Sequence, residues 1–147
     1  MRRTEPWSSH TRWEPAAYDT IRAHLQDTGR EPSFYDLIVT GDLGRLGGEL
    51  LQELFLGDGV DLAPRYSDCG LMIFDLKRQD VHCGGSGCGC SAAVLTGHLL
   101  PGMRAGRWNN ILFCPTGALH SPTTSFQGES IPGICHAIAL SNRRPAS

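Results

Sequence analysis

Apolar and polar residues alternate along the chain in a pattern that predicts amphipathic helices. A first helix has Pro15 in its first turn and ends at Gly29, and its apolar face carries Tyr18, Ile21 and Leu25. Asp42 is positioned to cap a second helix, which ends at Gly57. The apolar stripe predicted for this second helix consists of Leu43, Leu46, Leu50 and Leu54.

A third helix and four short strands complete the pattern. Ser91 is placed to cap this helix, which carries Leu95, Leu99 and Met103 on one side. Pro101 lies inside it and costs about 3 kcal/mol in a regular helix, so a kink or an early stop is expected. Continuous apolar runs predict strands at 36–40, 70–74, 110–114 and 134–140.

The alternation of helices with short apolar strands predicts an α/β fold in which helices cover both faces of a sheet. The last two strands have no helix between them, which favours antiparallel pairing. Residues 1–14 show no periodicity and are predicted to be a loose N-terminal tail ahead of a folded part at 15–147. A chain of 147 residues is long enough for one domain with a moderate core.

The net charge and the hydropathy of the chain argue against two kinds of partner, nucleic acid and the interior of a membrane. The formal net charge of −2 argues against nucleic acid, because phosphate binding needs a basic surface. No stretch approaches the roughly 18 apolar residues that a membrane-spanning helix requires. Arg2 and Arg3 are not followed by an apolar segment, so no secretory signal is predicted. Membrane association is therefore expected to come through a partner.

Six cysteines are present, and the lack of a secretory signal favours reduced thiols over disulfides. Cys83, Cys88 and Cys90 lie near His82, but their spacing is too tight for a zinc knuckle and no second pair completes one. We therefore expect no structural metal and no cofactor. The remaining cysteines lie in or beside apolar strands, where cysteine behaves as a small buried hydrophobe: Cys69, Cys114 and Cys135.

A glycine-rich loop at residues 82–91 is the most unusual local feature. It lacks the lysine of a P-loop, and it has neither the preceding strand nor the later acidic residue of a dinucleotide-binding turn. Bare backbone N–H groups ahead of a helix N-terminus suit an anion such as a carboxylate. A loop of this composition, taken alone, more often forms a close packing corner between a strand and a helix.

The residues alone supply no catalytic triad. His82 and Cys83 are adjacent, and adjacent side chains of an extended segment point apart. Two further histidines are expected to be solvated on predicted helices, His24 and His98. His120 and His136 are of more interest because they border the loop that follows a strand, but a nucleophile also needs a base held against it.

Five segments, in order, resemble the stage V sporulation protein AD family: residues 35–44, 68–75, 79–92, 116–124 and 127–134. They read YDLIVTGDLG, DCGLMIFD, QDVHCGGSGCGCSA, TGALHSPTT and QGESIPGI. The resemblance extends from about Pro15 to Leu140, whereas residues 1–13 do not look like family sequence. The shared order of five segments is a stronger signal than any single motif.

The resemblance implies a thiolase-like fold, in which two similar α/β halves flank a ligand site. This chain resembles the C-terminal half only, a mixed sheet with helices on both faces. In the related ketoacyl synthases, a catalytic His follows a strand and a catalytic Asn opens the later glycine loop. The matching places here hold Gly41 and the pair Gly84 and Gly85, so the resemblance implies a binder that catalyses no acyl transfer.

The ligand that the resemblance implies is dipicolinate, taken into the forespore as its calcium chelate. Its carboxylates need donors such as the hydroxyl of Ser86, and Asp42 is placed to face calcium, which prefers oxygen ligands. The ligand-binding set expected on this basis is Gly41, Asp42, His82, Gly84, Gly85, Ser86 and His120.

The resemblance also implies partners and a location. The partners are other stage V sporulation membrane proteins, and either the missing N-terminal half or a second copy of the chain. The expected location is the cytoplasmic side of the forespore inner membrane, with peripheral attachment. Two alternatives stay open, an acyl-transferase of the same fold and an inert fragment that does not fold alone.

Overall fold

The computed structural model describes residues 13–82, 87–118 and 133–142. Helices α1 to α5 span Trp13–Thr28, Gly44–Gly57, Cys69–Ile73, Cys90–Val94 and Leu100–Arg104. A π-helical turn at Leu95–Leu99 joins α4 to α5, and a 3₁₀ turn at Pro32–Phe34 precedes β1. Strands β1 to β6 span Leu37–Thr40, Tyr66–Asp68, Asn110–Cys114, Thr116–Ala118, Gly133–Cys135 and Ile138–Ser141.

Four strands form a mixed sheet in the order β2-β1-β3-β6, and β4 pairs with β5 beside it. β1 runs parallel to both of its neighbours, with Val39 opposite Ser67 on one side and Phe113 on the other. β6 pairs antiparallel with β3. The predicted α/β class and the antiparallel pairing of the last two strands are confirmed, and the mixed sheet is consistent with part of a thiolase-like domain.

Helices cover both faces of this sheet, because successive residues of a strand point to opposite sides. Ile38 and Leu112 pack against α1 and α2 on one face. Val39 and Phe113 pack on the other face against the helix formed by α4 and α5. Side chains of the central strands are buried on both sides, which explains why β1 and β3 are continuous apolar runs.

The strand predicted at 70–74 is wrong, because most of that segment belongs to helix α3. The carboxylate of Asp68 accepts a hydrogen bond from the N–H of Gly70 and so caps this helix. The strand beside β1 is instead β2, a polar run of three residues. It lies at the edge of the sheet, and its polar sequence gives no apolar signal.

Helix α2 packs through a face different from the predicted leucine stripe. Its buried residues are Gly44, Gly47, Gly48, Leu51 and Phe55. The stripe residues Leu46, Leu50 and Leu54 are 56%, 41% and 42% exposed. Glycine lets the helix approach its neighbours closely, since a Cβ at Gly48 would lie 3.0 Å from the hydroxyl of Tyr66. The buried face predicted for α2 is therefore wrong. Counting large apolar residues could not reveal it, because glycines make up much of the face that packs.

Pro101 does not end the third predicted helix, which continues from α4 through the π-helical turn into α5. Its buried side chains are spaced by four, five and four residues: Cys90, Val94, Leu99 and Met103. A π-helical turn closes hydrogen bonds five residues apart, so it keeps Leu99 on the same face as Val94. The expected irregularity is therefore a wide turn ahead of the proline, not a stop.

Two predicted boundaries also shift. Helix α1 begins at Trp13, so residues 13 and 14 are helical and do not belong to a tail. Residues 1–12 of the predicted tail lie outside the described residues. The strand predicted at 134–140 is divided into β5 and β6, which belong to different sheets.

Replacing Gly102 by alanine is expected to destabilise the protein. A Cβ at Gly102 would overlap the indole ring of Trp108, and moving that ring would disturb its edge contact with His98. Overpacking of this kind costs about 1–3 kcal/mol. We expect the free energy of unfolding, measured by urea denaturation, to fall by that amount.

The matched control is Gly97→Ala in the same helix, where an added Cβ meets nothing within 4 Å. Alanine is favoured over glycine in helices by about 1 kcal/mol, so this variant should be at least as stable as the unchanged protein. Equal losses for the two variants would contradict the packing described for Gly102.

Candidate functional site

The candidate site lies where β1 ends, near the centre of the sheet. In α/β sheets, ligands gather beyond the carboxyl ends of the strands. Gly41 and Asp42 follow β1 directly, and Thr116 lies just beyond the end of the neighbouring strand β3. Ser91, in the first turn of α4, approaches the same point from the other side. Three segments distant in sequence therefore meet here.

The buried carboxylate of Asp68 fixes the backbone around this point. It is 0% exposed and accepts hydrogen bonds from the Thr40 hydroxyl at 2.6 Å and from three backbone N–H groups at 3.0 Å, those of Leu43, Gly44 and Gly70. Burial raises the pKa of this carboxyl, and the four hydrogen bonds oppose the shift. Because Thr40 donates to Asp68, the Tyr66 hydroxyl donates in turn to Thr40 at 2.6 Å.

Asp68, not Asp42, completes the start of helix α2. The residue that precedes the helix is Leu43, and its side chain makes no capping hydrogen bond. The N–H groups that begin the helix donate to Asp68 instead. The prediction that Asp42 caps α2 is therefore wrong, and the Asp42 side chain turns toward β4.

Asp42 and Thr116 form a reciprocal pair across the end of the sheet. The Thr116 hydroxyl donates to the Asp42 carboxylate at 3.1 Å and accepts from the Asp42 N–H at 3.2 Å. The N–H of Gly87 also donates to this carboxylate. Burial raises the pKa of the half-buried Asp42 carboxyl, and both of these donors oppose the shift. A carboxylate with two such donors still has lone pairs for a cation.

Gly41 has no room for a side chain. A Cβ at this position would lie 2.5 Å from Oγ1 of Thr116 and 2.8 Å from Oγ of Ser91, well inside van der Waals contact. On the resemblance to ketoacyl synthases, this is the place of their catalytic histidine. Two hydroxyl groups fill the space that an imidazole would need.

The thiols beside the site are buried. Burial raises the pKa of the Cys69 thiol to about 12, so it stays protonated near neutral pH. Sγ of Cys90 lies 3.7 Å from the carbonyl oxygen of Gly41, in the interior of the protein. A nucleophilic cysteine needs thiolate character and access to the substrate, and Cys69 has neither.

The predicted ligand-binding residues are only partly brought together. Gly41 and Asp42 lie side by side, and Gly87 brings the end of the glycine loop against Asp42. His82 has a left-handed backbone (φ 51°) and a side chain 90% exposed, and its imidazole lies 3.9 Å from the carboxylate of Asp80. The other predicted members lie outside the described residues: Gly84, Gly85, Ser86 and His120.

Two residues of the site are not identified from the sequence, Ser91 and Thr116. The sequence predicts Ser91 as a helix cap, but the residue that precedes α4 is Gly89. Ser91 therefore lies inside the first turn, with its hydroxyl against Gly41. Thr116 is recognisable only once β3 is known to pair with β1, because that pairing places the residues after β3 beside Asp42.

Among residues 13–82, 87–118 and 133–142, no group of three or more His, Cys, Asp or Glu side chains is arranged to hold a metal ion. Cys83, one of the clustered cysteines, lies outside them. No helix in the described part of the chain is long and apolar enough to cross a bilayer.

Removing the Asp68 carboxylate is expected to be the most damaging single change near the site. Asp68→Ala leaves four buried or half-buried donors without their acceptor, and breaking such a buried network costs about 3–5 kcal/mol. The measurement is the free energy of unfolding in urea.

Asp61→Ala is the matched control, because its exposed carboxylate accepts one hydrogen bond, from the N–H of Ala63 at 2.9 Å. We expect this variant to lose less than about 1 kcal/mol. If Asp68→Ala were no less stable than Asp61→Ala, the organising role of Asp68 would be excluded.

Comparison with known proteins assigns the chain to a family. A sequence model of the family described as Stage V sporulation protein AD (SpoVAD) matches residues 3–141. The expectation that residues 1–13 lack family sequence is therefore wrong for residues 3–13. The Stage V sporulation protein AD of Bacillus subtilis (strain 168) is 40% identical over 144 residues, which cover 98% of this chain and 42% of that relative. The chain thus spans less than half the length of the relative, and it belongs to the stage V sporulation protein AD family.

Proposed function

We propose that this chain supplies one wall of a non-catalytic binding site for dipicolinate, held as its calcium chelate, in a sporulation protein. The observation that carries the proposal is the closed space at Gly41, where a Cβ would lie 2.5 Å from Thr116. Acyl transfer needs a base within hydrogen-bond reach of the reacting group. A position that admits no side chain cannot provide that base, which favours binding over catalysis.

The chemistry of the site suits a chelated dicarboxylate. The hydroxyl of Ser91 lies against Gly41 and can donate to a ligand carboxylate, and the half-buried Asp42, held by Thr116, offers oxygen to a hard cation. Calcium accepts carboxylate and hydroxyl oxygens together, so Asp42 and the ligand can share one ion. The cation also removes the repulsion that Asp42 would otherwise exert on a dianion.

The proposed partner that completes the site is another part of a longer protein or a second copy of the chain. The aligned region covers only 42% of the Bacillus subtilis relative. Helix α2 leaves Leu46, Leu50 and Leu54 exposed in a row, with Ile73 of α3 42% exposed. Contiguous apolar surface of this kind is typical of a protein interface. Through such a partner the protein would act with stage V membrane proteins on the cytoplasmic side of the forespore inner membrane.

The test of this proposal is titration calorimetry with calcium dipicolinate. The chain is co-expressed with the part of the Bacillus subtilis relative that it does not cover, so that the second wall is present. We expect Asp42→Ala to weaken binding about tenfold or more, a change of about 1.4 kcal/mol, because a half-buried cation ligand is lost. Asp61→Ala removes an equal charge from an exposed position and should bind normally.

Calcium dependence separates this site from a simple anion site. The unchanged protein should bind dipicolinate more weakly in calcium-free buffer, and Asp42→Ala should be insensitive to calcium. Undiminished binding by a folded Asp42→Ala variant, or turnover of acyl-CoA by the complex, would refute the proposal.

A further inference from the structure

The ladders β3–β6 and β4–β5 belong to different sheets but follow one another along the chain in the same antiparallel register. Phe113 lies opposite Ile138 in the first ladder and Thr116 lies opposite Cys135 in the second, so the register does not change between them. The N–H of His136 donates to the carbonyl of Pro115 at 3.2 Å and bridges the two. Residues two positions apart on a strand share a face, so Cys114 lies on the same face as Thr116 and is a diagonal neighbour of Cys135.

The two thiols are neighbours on this face. Sγ of Cys135 lies 3.9 Å from the carbonyl oxygen of Cys114, and the interaction between the two thiols shifts the pKa of each. Cys114 is 0% exposed, whereas Cys135 is partly exposed. The pair therefore has one accessible sulfur and one sheltered sulfur behind it.

The two thiols differ in pKa because their surroundings differ. The interaction with Cys114 lowers the pKa of Cys135, against the opposite effect of burial, and the Thr20 hydroxyl, which donates to the backbone carbonyl of Cys135 at 3.1 Å, lies beside it. The same interaction with Cys135, together with burial, raises the pKa of Cys114. The accessible thiol is thus the one that ionises first, which is the requirement for an attacking thiol.

We propose that Cys114 and Cys135 are a reversible disulfide site, oxidised by a low-molecular-weight disulfide that reaches Cys135. The Cys135 thiolate attacks one sulfur of the oxidant, forms a mixed disulfide and releases the first thiolate. That thiolate takes the proton of Cys114, whose sulfur then attacks Sγ of Cys135 and displaces the second thiolate. Two protein thiols lose two electrons and two protons, and the oxidant is reduced to two thiols.

The position of the pair links this chemistry to the candidate site. Thr116, which lies opposite Cys135, is the residue whose hydroxyl pairs with Asp42. Thr40, the last residue of β1, is paired with Cys114. A bond between the two sulfurs would therefore fasten the start of the β4–β5 ladder to the end of β3, directly beside Asp42. This property is independent of whether dipicolinate is the ligand.

The test treats the full 147-residue chain with oxidised glutathione, blocks remaining thiols with iodoacetamide and digests the protein. Cleavage after Glu129 separates Cys114 from Cys135, so the two peptides stay joined only if the sulfurs are bonded. We expect a joined peptide pair, loss of alkylation at both cysteines, and recovery of both on reduction. This mapping uses the unchanged protein and does not depend on any variant being folded.

Two variants distinguish the roles of the pair. Cys114→Ser should stop the reaction at the first step and leave one glutathione on Cys135, whereas Cys88→Ser, which removes an exposed thiol, should not alter the joined pair. The proposal is overturned if both cysteines of the oxidised protein remain fully alkylated. It is equally overturned if Cys135 is found bonded to a different cysteine or stays glutathionylated in the unchanged protein.

Discussion

The geometry around the site depends on one buried carboxylate, that of Asp68. Helix starts leave N–H groups without partners inside the helix, and burying such groups unpaired is costly. Asp68 serves two helix starts at once, that of α2 through Leu43 and Gly44 and that of α3 through Gly70. It also receives the hydroxyl of Thr40 at the end of β1. A single side chain therefore determines where one strand ends and two helices begin.

This arrangement leaves the Asp42 carboxylate free of helix capping. Since Asp68 supplies the acceptors for α2, the helix begins at Gly44, whose left-handed backbone (φ 68°) makes the entry turn. Asp42 stands before that turn and pairs with Thr116 on the neighbouring connection. Had Asp42 been the capping residue, its carboxylate would have been consumed within its own helix. The carboxylate that caps the two helices and the carboxylate that pairs with Thr116 thus belong to different residues, Asp68 and Asp42.

The helices and strands that pack through large apolar side chains could be predicted from the sequence. β1 and β3 are continuous apolar runs because both faces of the sheet are covered, and α1 shows its face through Ile21 and Leu25. The face of helix α2 is mispredicted because glycines form the first half of its buried side, and glycine carries no hydrophobic signal. β2 and α3 mislead because their boundary is set by a side-chain hydrogen bond at Asp68. Within the site, Gly41 and Asp42 follow a predictable strand, whereas Ser91 and Thr116 are brought there by the topology.

The π-helical turn at Leu95–Leu99 has a consequence for how this sequence can change. Val94 and Leu99 are five residues apart, yet both belong to the same buried cluster. The turn therefore accommodates one extra residue within the helix, and the apolar residues before and after it remain on the same buried face. Deleting one residue from it would restore the four-residue spacing of a regular α-helix. A sequence alignment of this helix with one that lacks the turn thus requires a gap of a single residue. The gap falls between the core positions of Val94 and Leu99.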